Sequence, residues 1–172
     1  MENKQLQDLV KKAIRLEIDG RKFFNYAAEI TLHELGKKMF QRLAQEEVKH
    51  LTTFGKLFGS MVKAEDWKEY VKKEEKLSEK SPLIEELASR MKKPEAKGEV
   101  EALRLGMELE QNAVEMFKKS SADVTDTKIK EIFDKICDEE RFHFDLLQAQ
   151  HDSVTGSGFW LDSSEFQMDG KY

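Results

Sequence analysis

Residues 46–50 read EEVKH, and residues 139–143, which lie 93 positions later, read EERFH. In each half of the chain, the second glutamate of this segment follows another glutamate by 30 residues and precedes a histidine by three. The repeated set consists of Glu17, Glu47 and His50 in the first half and Glu110, Glu140 and His143 in the second. Four carboxylates and two imidazoles at matching offsets are the ligands that a pair of metal ions needs. The pattern therefore predicts a site for two metal ions.

The residues around these positions repeat at the spacing of α-helices. Steps of three and four residues place side chains on one helical face. Two such faces contain Phe40, Leu43, Glu47, His50, Phe54 and Leu57, and Ile129, Ile132, Ile136, Glu140, His143 and Leu147. Glu17 and Glu110 continue two further apolar stripes. All six polar residues are therefore expected in the interior, where a lone carboxylate is costly and four carboxylates repel one another unless cations are bound.

The helical pattern extends over most of the chain and predicts an all-α fold, a four-helix bundle in one domain over residues 1–172. The expected segments are a helical hairpin at about 3–58, a crossover connection at 60–98, a second hairpin at about 99–150 and a tail at 152–172. Both prolines fall in the connection, which has one short amphipathic piece after Ser81-Pro82. Phe24 and Phe117 are related by the same offset as the motifs, which indicates a duplicated hairpin.

Composition excludes several classes of protein. A net charge of −5 over 172 residues leaves no basic surface of the kind that binds nucleic acid or anionic membranes. No apolar stretch approaches the roughly 18 residues that a membrane span needs, and the first residues lack the apolar core of a signal peptide. The single cysteine, Cys137, excludes an internal disulfide framework and a four-thiolate metal site. It also fits a reducing compartment, so we expect a cytoplasmic protein.

With these motifs, the long connection and the tail sequence GFWLD at 158–162, the chain resembles the ferritin-like di-iron carboxylate superfamily. Within it, the chain is most similar to rubrerythrin-like proteins that lack a rubredoxin domain. The resemblance implies a ferritin-like bundle that holds two iron ions, or manganese in place of one of them or both. By position, the implied ligands are Glu17 and His50 for one ion, Glu110 and His143 for the other, and Glu47 and Glu140 as bridges.

The resemblance also implies an oxidoreductase that reduces hydrogen peroxide or dioxygen while Fe(II) is oxidised, and that forms a homodimer. Some features depart from the family pattern. Met107 and Ala113 occupy the spacings at which rubrerythrins carry an extra glutamate on the third helix, and Phe24 stands where many relatives have a tyrosine. Because Cys137 is the only cysteine, electrons are expected from a separate protein such as a rubredoxin, or from Fe(II) itself.

Glu46 and Glu139 each precede a predicted bridging glutamate. One hypothesis is that Glu46 orients His143 and Glu139 orients His50 across the bundle, which would fix the tautomer of each imidazole. The alternative is that both acids lie on a solvated helix face.

Five other residues invite a functional interpretation but are expected to be structural. Cys137 is expected to be a buried packing residue rather than a redox thiol. His33 and His151 have no acid at ligand spacing and are expected near helix ends at the surface. Phe159 and Trp160 are expected to anchor the tail, either on this bundle or on that of a neighbouring subunit.

Two other functions remain open from the sequence. A ferritin-type ferroxidase that oxidises Fe(II) for storage would use the same ligands in a hollow shell of many subunits. A structural or interaction bundle without metal would use the six residues as salt bridges at the edge of its core.

Overall fold

The computed structural model describes residues 3–62, 66–77, 82–93 and 97–166. The helices are α1 (Asn3–Ile30), α2 (Glu34–Met61), α3 (Trp67–Leu77), α4 (Pro82–Arg90), α5 (Gly98–Asp123) and α6 (Thr127–Ser157), and a 3-10 turn follows at Ser163–Glu165. The described ranges contain no strand, so the all-α prediction is confirmed. None of these helices combines the length and the apolar character that crossing a lipid bilayer requires.

The four long helices form two hairpins, as in a ferritin-like bundle. α1 packs against α2 and α5 packs against α6, and α1 also contacts α5 to join the two hairpins. The turn between α5 and α6 ends at Asp126, whose carboxylate accepts hydrogen bonds from the backbone N–H groups of Lys128 and Ile129. Such a cap satisfies donors that the first turn of a helix leaves free.

Two helices end later than the sequence indicates. α2 continues to Met61, beyond the expected end near residue 58. Gly55 and Gly59 in its last turns lie under the indole of Trp67, and a Cβ atom at Gly59 would be 3.0 Å from that ring. α6 continues past residue 150 to Ser157 and ends at Gly158, whose φ of 78° is the left-handed conformation that favours glycine at a helix end.

The connection contains two helices rather than the one short piece that was expected. α4 begins at Pro82, as predicted, whereas Ser81 lies outside the described residues. α3 was missed because its Lys/Glu-rich sequence hides a narrow apolar face. On that face Tyr70 packs against Phe58, with ring centroids 4.6 Å apart. α3 is also tied to α1 by an ion pair of 2.7 Å between Arg15 and Glu74.

The apolar core consists of two clusters, one on each side of the six predicted ligands. Along α2, Phe40 and Leu43 belong to the first cluster, whereas Phe54 and Phe58 belong to the second. Burying an aromatic or aliphatic side chain of this size contributes about 1.5–3 kcal/mol. The residues between the clusters therefore lie in a layer that is shielded from water.

The tail docks on this same bundle. Trp160 is 7% exposed and lies edge-on to Phe40, with centroids 6.3 Å apart. The buried amide of Gln150 donates to the carbonyl of Leu161 and accepts from its N–H, both at 2.9 Å. Phe159 is 74% exposed and does not anchor the tail on this bundle. Residues 152–157 of the predicted tail belong to α6, and residues 167–172 lie outside the described ranges.

Candidate metal centre

The six residues of the repeated motif meet in the middle of the bundle. Each of the four long helices contributes to the set, and no more than 3% of any of the six residues is exposed. Their ligand atoms form two overlapping groups in which all atoms lie within 4.8 Å of one another. The groups are Glu17, Glu47, His50 and Glu140, and Glu47, Glu110, Glu140 and His143. The two groups share Glu47 and Glu140.

In the first group the Nδ1 atom of His50 faces the carboxylates. It lies 3.3 Å from Oε2 of Glu17, 3.2 Å from Oε1 of Glu140 and 3.9 Å from Oε2 of Glu47. Glu47 and His50 share α2 at a spacing of three residues, so one helical face presents both of them. The opposite ring nitrogen, Nε2, points away from these carboxylates to Glu139.

In the second group the Nδ1 atom of His143 has the corresponding surroundings. It lies 2.9 Å from Oε2 of Glu140, 3.5 Å from Oε1 of Glu110 and 3.7 Å from Oε1 of Glu47. Glu47 and Glu140 therefore turn one oxygen toward each histidine. The two imidazole rings are nearly parallel, with an interplanar angle of 25° and centroids 5.7 Å apart.

Several of these buried atoms have no hydrogen-bond partner among the described residues. They are both carboxylate oxygens of Glu17, both of Glu110, Oε1 of Glu47 and Nδ1 of His50. A buried polar atom without a partner costs about 1–3 kcal/mol. A cation between the carboxylates would give these atoms the partner they lack. Oxygen and imidazole donors suit iron or manganese, so the residues fit a metal site.

The carboxyl groups are not equivalent without a metal. Burial, and then the charge of Glu140, raise the pKa of Glu47 and of Glu110 well above the ordinary value. Burial would also raise the pKa of Glu140, but the neighbouring imidazoles of His143 and His50 outweigh it and lower that pKa. For His143, burial favours the neutral ring, yet Glu110 and Glu140 raise its pKa to about 10. Metal binding must therefore displace protons from this cluster.

The two acids that precede the shared glutamates have different partners. Oε2 of Glu139 lies 2.9 Å from Nε2 of His50, which is the contact that the sequence hypothesis requires. This hydrogen bond lowers the pKa of Glu139. Glu46 differs from the hypothesis: both of its oxygens accept from Lys49 Nζ at 2.9 Å, and no hydrogen bond to His143 occurs within the described residues. The reason is that Lys49 lies one turn along the same helix.

The other candidates have structural surroundings. Cys137 is 4% exposed, its Sγ lies 3.6 Å from the carbonyl of Val114, and burial raises the pKa of its thiol. His33 caps α2 by accepting from the backbone N–H of Leu35. His151 is partly exposed and lies beside Asp152. These are roles in packing and capping rather than in a second reactive site.

Gly20 is a site residue whose role the sequence does not reveal. It lies in α1, one turn after Glu17, and a Cβ atom on it would be 3.1 Å from Oε2 of Glu47. Its spacing of three residues places it on the same helical face as Glu17, but spacing alone does not indicate the contact with Glu47. The sign of a special role that the sequence does offer is the presence of a glycine inside a long predicted helix, where glycine is unfavourable.

Comparison with known proteins agrees with this geometry. A family model described as Rubrerythrin matches residues 8–150, which include all six residues of the cluster. No curated protein and no solved structure matches the chain significantly. Since the family model covers most of the sequence, the chain belongs to the rubrerythrin family.

Proposed function

We propose that this protein is a di-iron oxidoreductase that reduces hydrogen peroxide or dioxygen while Fe(II) is oxidised. The observation that carries the proposal is the pair of overlapping buried ligand groups that share Glu47 and Glu140. Each of these two carboxylates turns one oxygen toward His50 and the other toward His143. A site for a single metal ion would not require this arrangement.

In this proposal the ligands divide by position. Glu17 and His50 would hold one ion, Glu110 and His143 would hold the other, and Glu47 and Glu140 would serve both. Both histidines would coordinate through Nδ1, the ring nitrogen that faces the carboxylates. Four ionised carboxylates balance the charge of two ferrous ions, and the resulting neutral centre is compatible with its burial between two apolar clusters.

When two ferrous ions are bound, the chemistry they supply is two electrons, which together with two protons convert hydrogen peroxide into two water molecules. The protein supplies the surroundings for that chemistry. The phenylalanine-rich clusters keep bulk water from the ligand layer, which strengthens electrostatic interactions within it. Glu139, whose side chain is 29% exposed, forms a polar link from solvent to Nε2 of His50.

The electrons for repeated turnover need an external source. The sequence has one cysteine, which is buried, so these 172 residues cannot form a four-cysteine iron centre of their own. We therefore propose that a separate electron-transfer protein such as a rubredoxin re-reduces the site.

The test measures metal content and turnover on the same sample. Protein loaded with Fe(II) without oxygen, desalted and analysed for iron should contain close to two ions per chain. It should then consume hydrogen peroxide with oxidation of two Fe(II) per peroxide. The Glu47→Ala/Glu140→Ala variant is the control, and it should retain helical content but neither bind iron nor react. Wild-type protein that holds less than one iron per chain would contradict the proposal.

A parallel measurement addresses substrate and storage. Rates with hydrogen peroxide and with dioxygen, on protein of verified iron content, identify the preferred oxidant. Light scattering separates a small oligomer from a hollow shell. A shell that retains many more iron ions than the ligand cluster can hold would replace the oxidoreductase proposal with iron storage.

A further inference from the structure

The two halves of the metal centre differ outside their ligands. Glu46 and Glu139 occupy equivalent positions of the duplicated hairpins, and their side chains are almost equally exposed, at 30% and 29%. Yet Glu139 contacts a ligand histidine, His50, at 2.9 Å, whereas Glu46 binds a lysine. Burial therefore does not explain the difference.

One departure from the internal repeat places a cation within hydrogen-bond distance of Glu46. The position of Lys49 in α2 corresponds by the 93-residue offset to Phe142 in α6. Lys49 Nζ lies 2.9 Å from both oxygens of Glu46, three residues earlier on the same helix. A phenylalanine offers no such donor, so Glu139 remains available to the imidazole across the bundle. The lysine that pairs with it, Lys135, is 3.9 Å away and 77% exposed, and such pairs are weak.

The contact of Glu139 determines which nitrogen of His50 can bind a metal ion. Because a carboxylate only accepts hydrogen bonds, Nε2 of His50 carries a proton, so a bound metal ion would displace any proton from Nδ1 and use the lone pair of that nitrogen. That lone pair faces Glu17 and Glu140, where the metal would lie. For His143, the structure shows no equivalent carboxylate from Glu46 to fix the ring. A carboxylate–histidine contact of this kind changes metal affinity by about 10–100-fold in metalloproteins.

From this asymmetry we infer that Glu139 is a positioning residue, and that the position formed by Glu17 and His50 binds its metal more tightly than the position formed by Glu110 and His143. The inference rests on the proposed function, since it requires two metal positions. It predicts ordered uptake: the first ion occupies the His50 position and the second the His143 position.

The first experiment is calorimetric titration of the metal-free full chain with Mn²⁺, which avoids oxidation in air. The wild type should bind two ions with constants that differ by about 10-fold or more. Glu139→Ala should weaken the tighter constant by about 10–100-fold and leave the weaker one unchanged. Glu139→Gln, which keeps an acceptor without the charge, should recover part of that loss. The matched control is Glu46→Ala, which should change neither constant by more than about threefold.

A second measurement reads the hydrogen bond itself. In protein loaded with Co²⁺, the exchangeable Nε2–H protons of ligand histidines give shifted NMR signals. One signal should be protected from exchange in the wild type and in Glu46→Ala, and it should lose protection in Glu139→Ala. The variant Lys49→Phe gives α2 the residue that α6 has at the equivalent position, Phe142. Because it frees Glu46 from its lysine partner, it should protect a second NMR signal and bring the two Mn²⁺ binding constants closer together.

The outcomes separate this inference from the proposed function. Wild type that binds two Mn²⁺ ions with equal constants, or Glu139→Ala and Glu46→Ala variants that behave alike, would overturn the inference and leave the two-metal proposal standing. Wild type that binds no Mn²⁺, Fe(II) or Co²⁺ would overturn both.

Discussion

The backbone of Gly20 in α1 lies directly against the carboxylate of Glu47 in α2. A Cβ atom at Gly20 would be 3.1 Å from Oε2 of Glu47, closer than such atoms normally approach. Ala113 occupies the corresponding position of the second hairpin. Glycine in a helix interior is about 1 kcal/mol less favourable than alanine. Gly20 therefore destabilises α1 slightly, and in return it leaves room for the carboxylate of Glu47.

We expect Gly20→Ala to weaken metal binding at both positions, because Glu47 contributes to both ligand groups. The metal-free protein should change by no more than about 1 kcal/mol, since the better helix propensity offsets the tighter contact. Mn²⁺ titration and thermal unfolding measure the two effects. Gly156→Ala is the control, because no described residue outside the local backbone of its helix lies within 4 Å of its added Cβ. Equal metal affinities for both variants and the wild type would show that Glu47 has room to move.

Removal of a shared ligand should affect metal content more than removal of an unshared one. Glu47→Ala is expected to abolish both metal positions, whereas His50→Ala should impair one position first. Elemental analysis after Fe(II) loading, with far-UV circular dichroism to verify the fold, distinguishes these results. Full occupancy of both positions in either variant would show that the ligands are assigned wrongly.

Metal affinity should fall as the pH is lowered. Without metal, the pKa of His143 is raised to about 10, so its ring holds a proton at neutral pH that metal must displace, and burial raises the pKa of Glu47 and of Glu110 in the same direction. Calorimetry in buffers of different ionisation enthalpy should therefore detect proton release on Mn²⁺ binding. An affinity that stays constant between pH 6 and pH 8 would be inconsistent with this charge distribution.

The same groups give the metal-free protein an opposite dependence on pH. The pKa of His143 is raised from 6.5 to about 10, so the folded state binds more protons than the unfolded state between these values. The free energy of unfolding should therefore decrease as the pH rises through this window. Bound metal removes this dependence, so its stabilising effect should grow with pH. Denaturant unfolding with and without Mn²⁺ at several pH values measures the difference.

Removal of metal should lower the melting temperature. A ligand at 100 times its Kd adds about 2.7 kcal/mol, which corresponds to roughly 5–10 °C for a chain of this size. Calorimetric melting before and after chelation tests this, and the Glu47→Ala/Glu140→Ala variant should show no response to the chelator. If chelation leaves the melting temperature of the wild type unchanged, the buried carboxylates without hydrogen-bond partners do not destabilise the metal-free protein as proposed.

The tail should stabilise the bundle without contributing to the metal centre. Trp160→Ala removes a ring packed against Phe40 and Gly36, and we expect it to cost about 3 kcal/mol with unchanged metal content. Phe159→Ala, at a neighbouring residue that is 74% exposed, should stay within about 0.5 kcal/mol. Denaturant unfolding compares the two. Equal stability of both variants would mean that the docked indole contributes nothing.

The four long helices and the inward direction of the six polar residues follow from the sequence alone, because both depend on local spacing. Residues three and four apart share a helical face whatever the chain later packs against. The spacing of Glu47 with His50, and of Glu140 with His143, is therefore sufficient to assign all four side chains to the interior. The duplication then predicts that the two pairs meet, which the distances within the cluster show.

The tertiary structure decided the features that depend on contacts between distant segments. Only packing shows that α3 covers Gly55 and Gly59 with Trp67, and that Trp160 rests on this bundle. The same holds for Glu139, which reaches His50 while Glu46, at the equivalent position of the repeat, is held by Lys49. Helical periodicity specifies the direction in which a side chain points. The partner that it finds there depends on which charges and spaces the neighbouring helices supply.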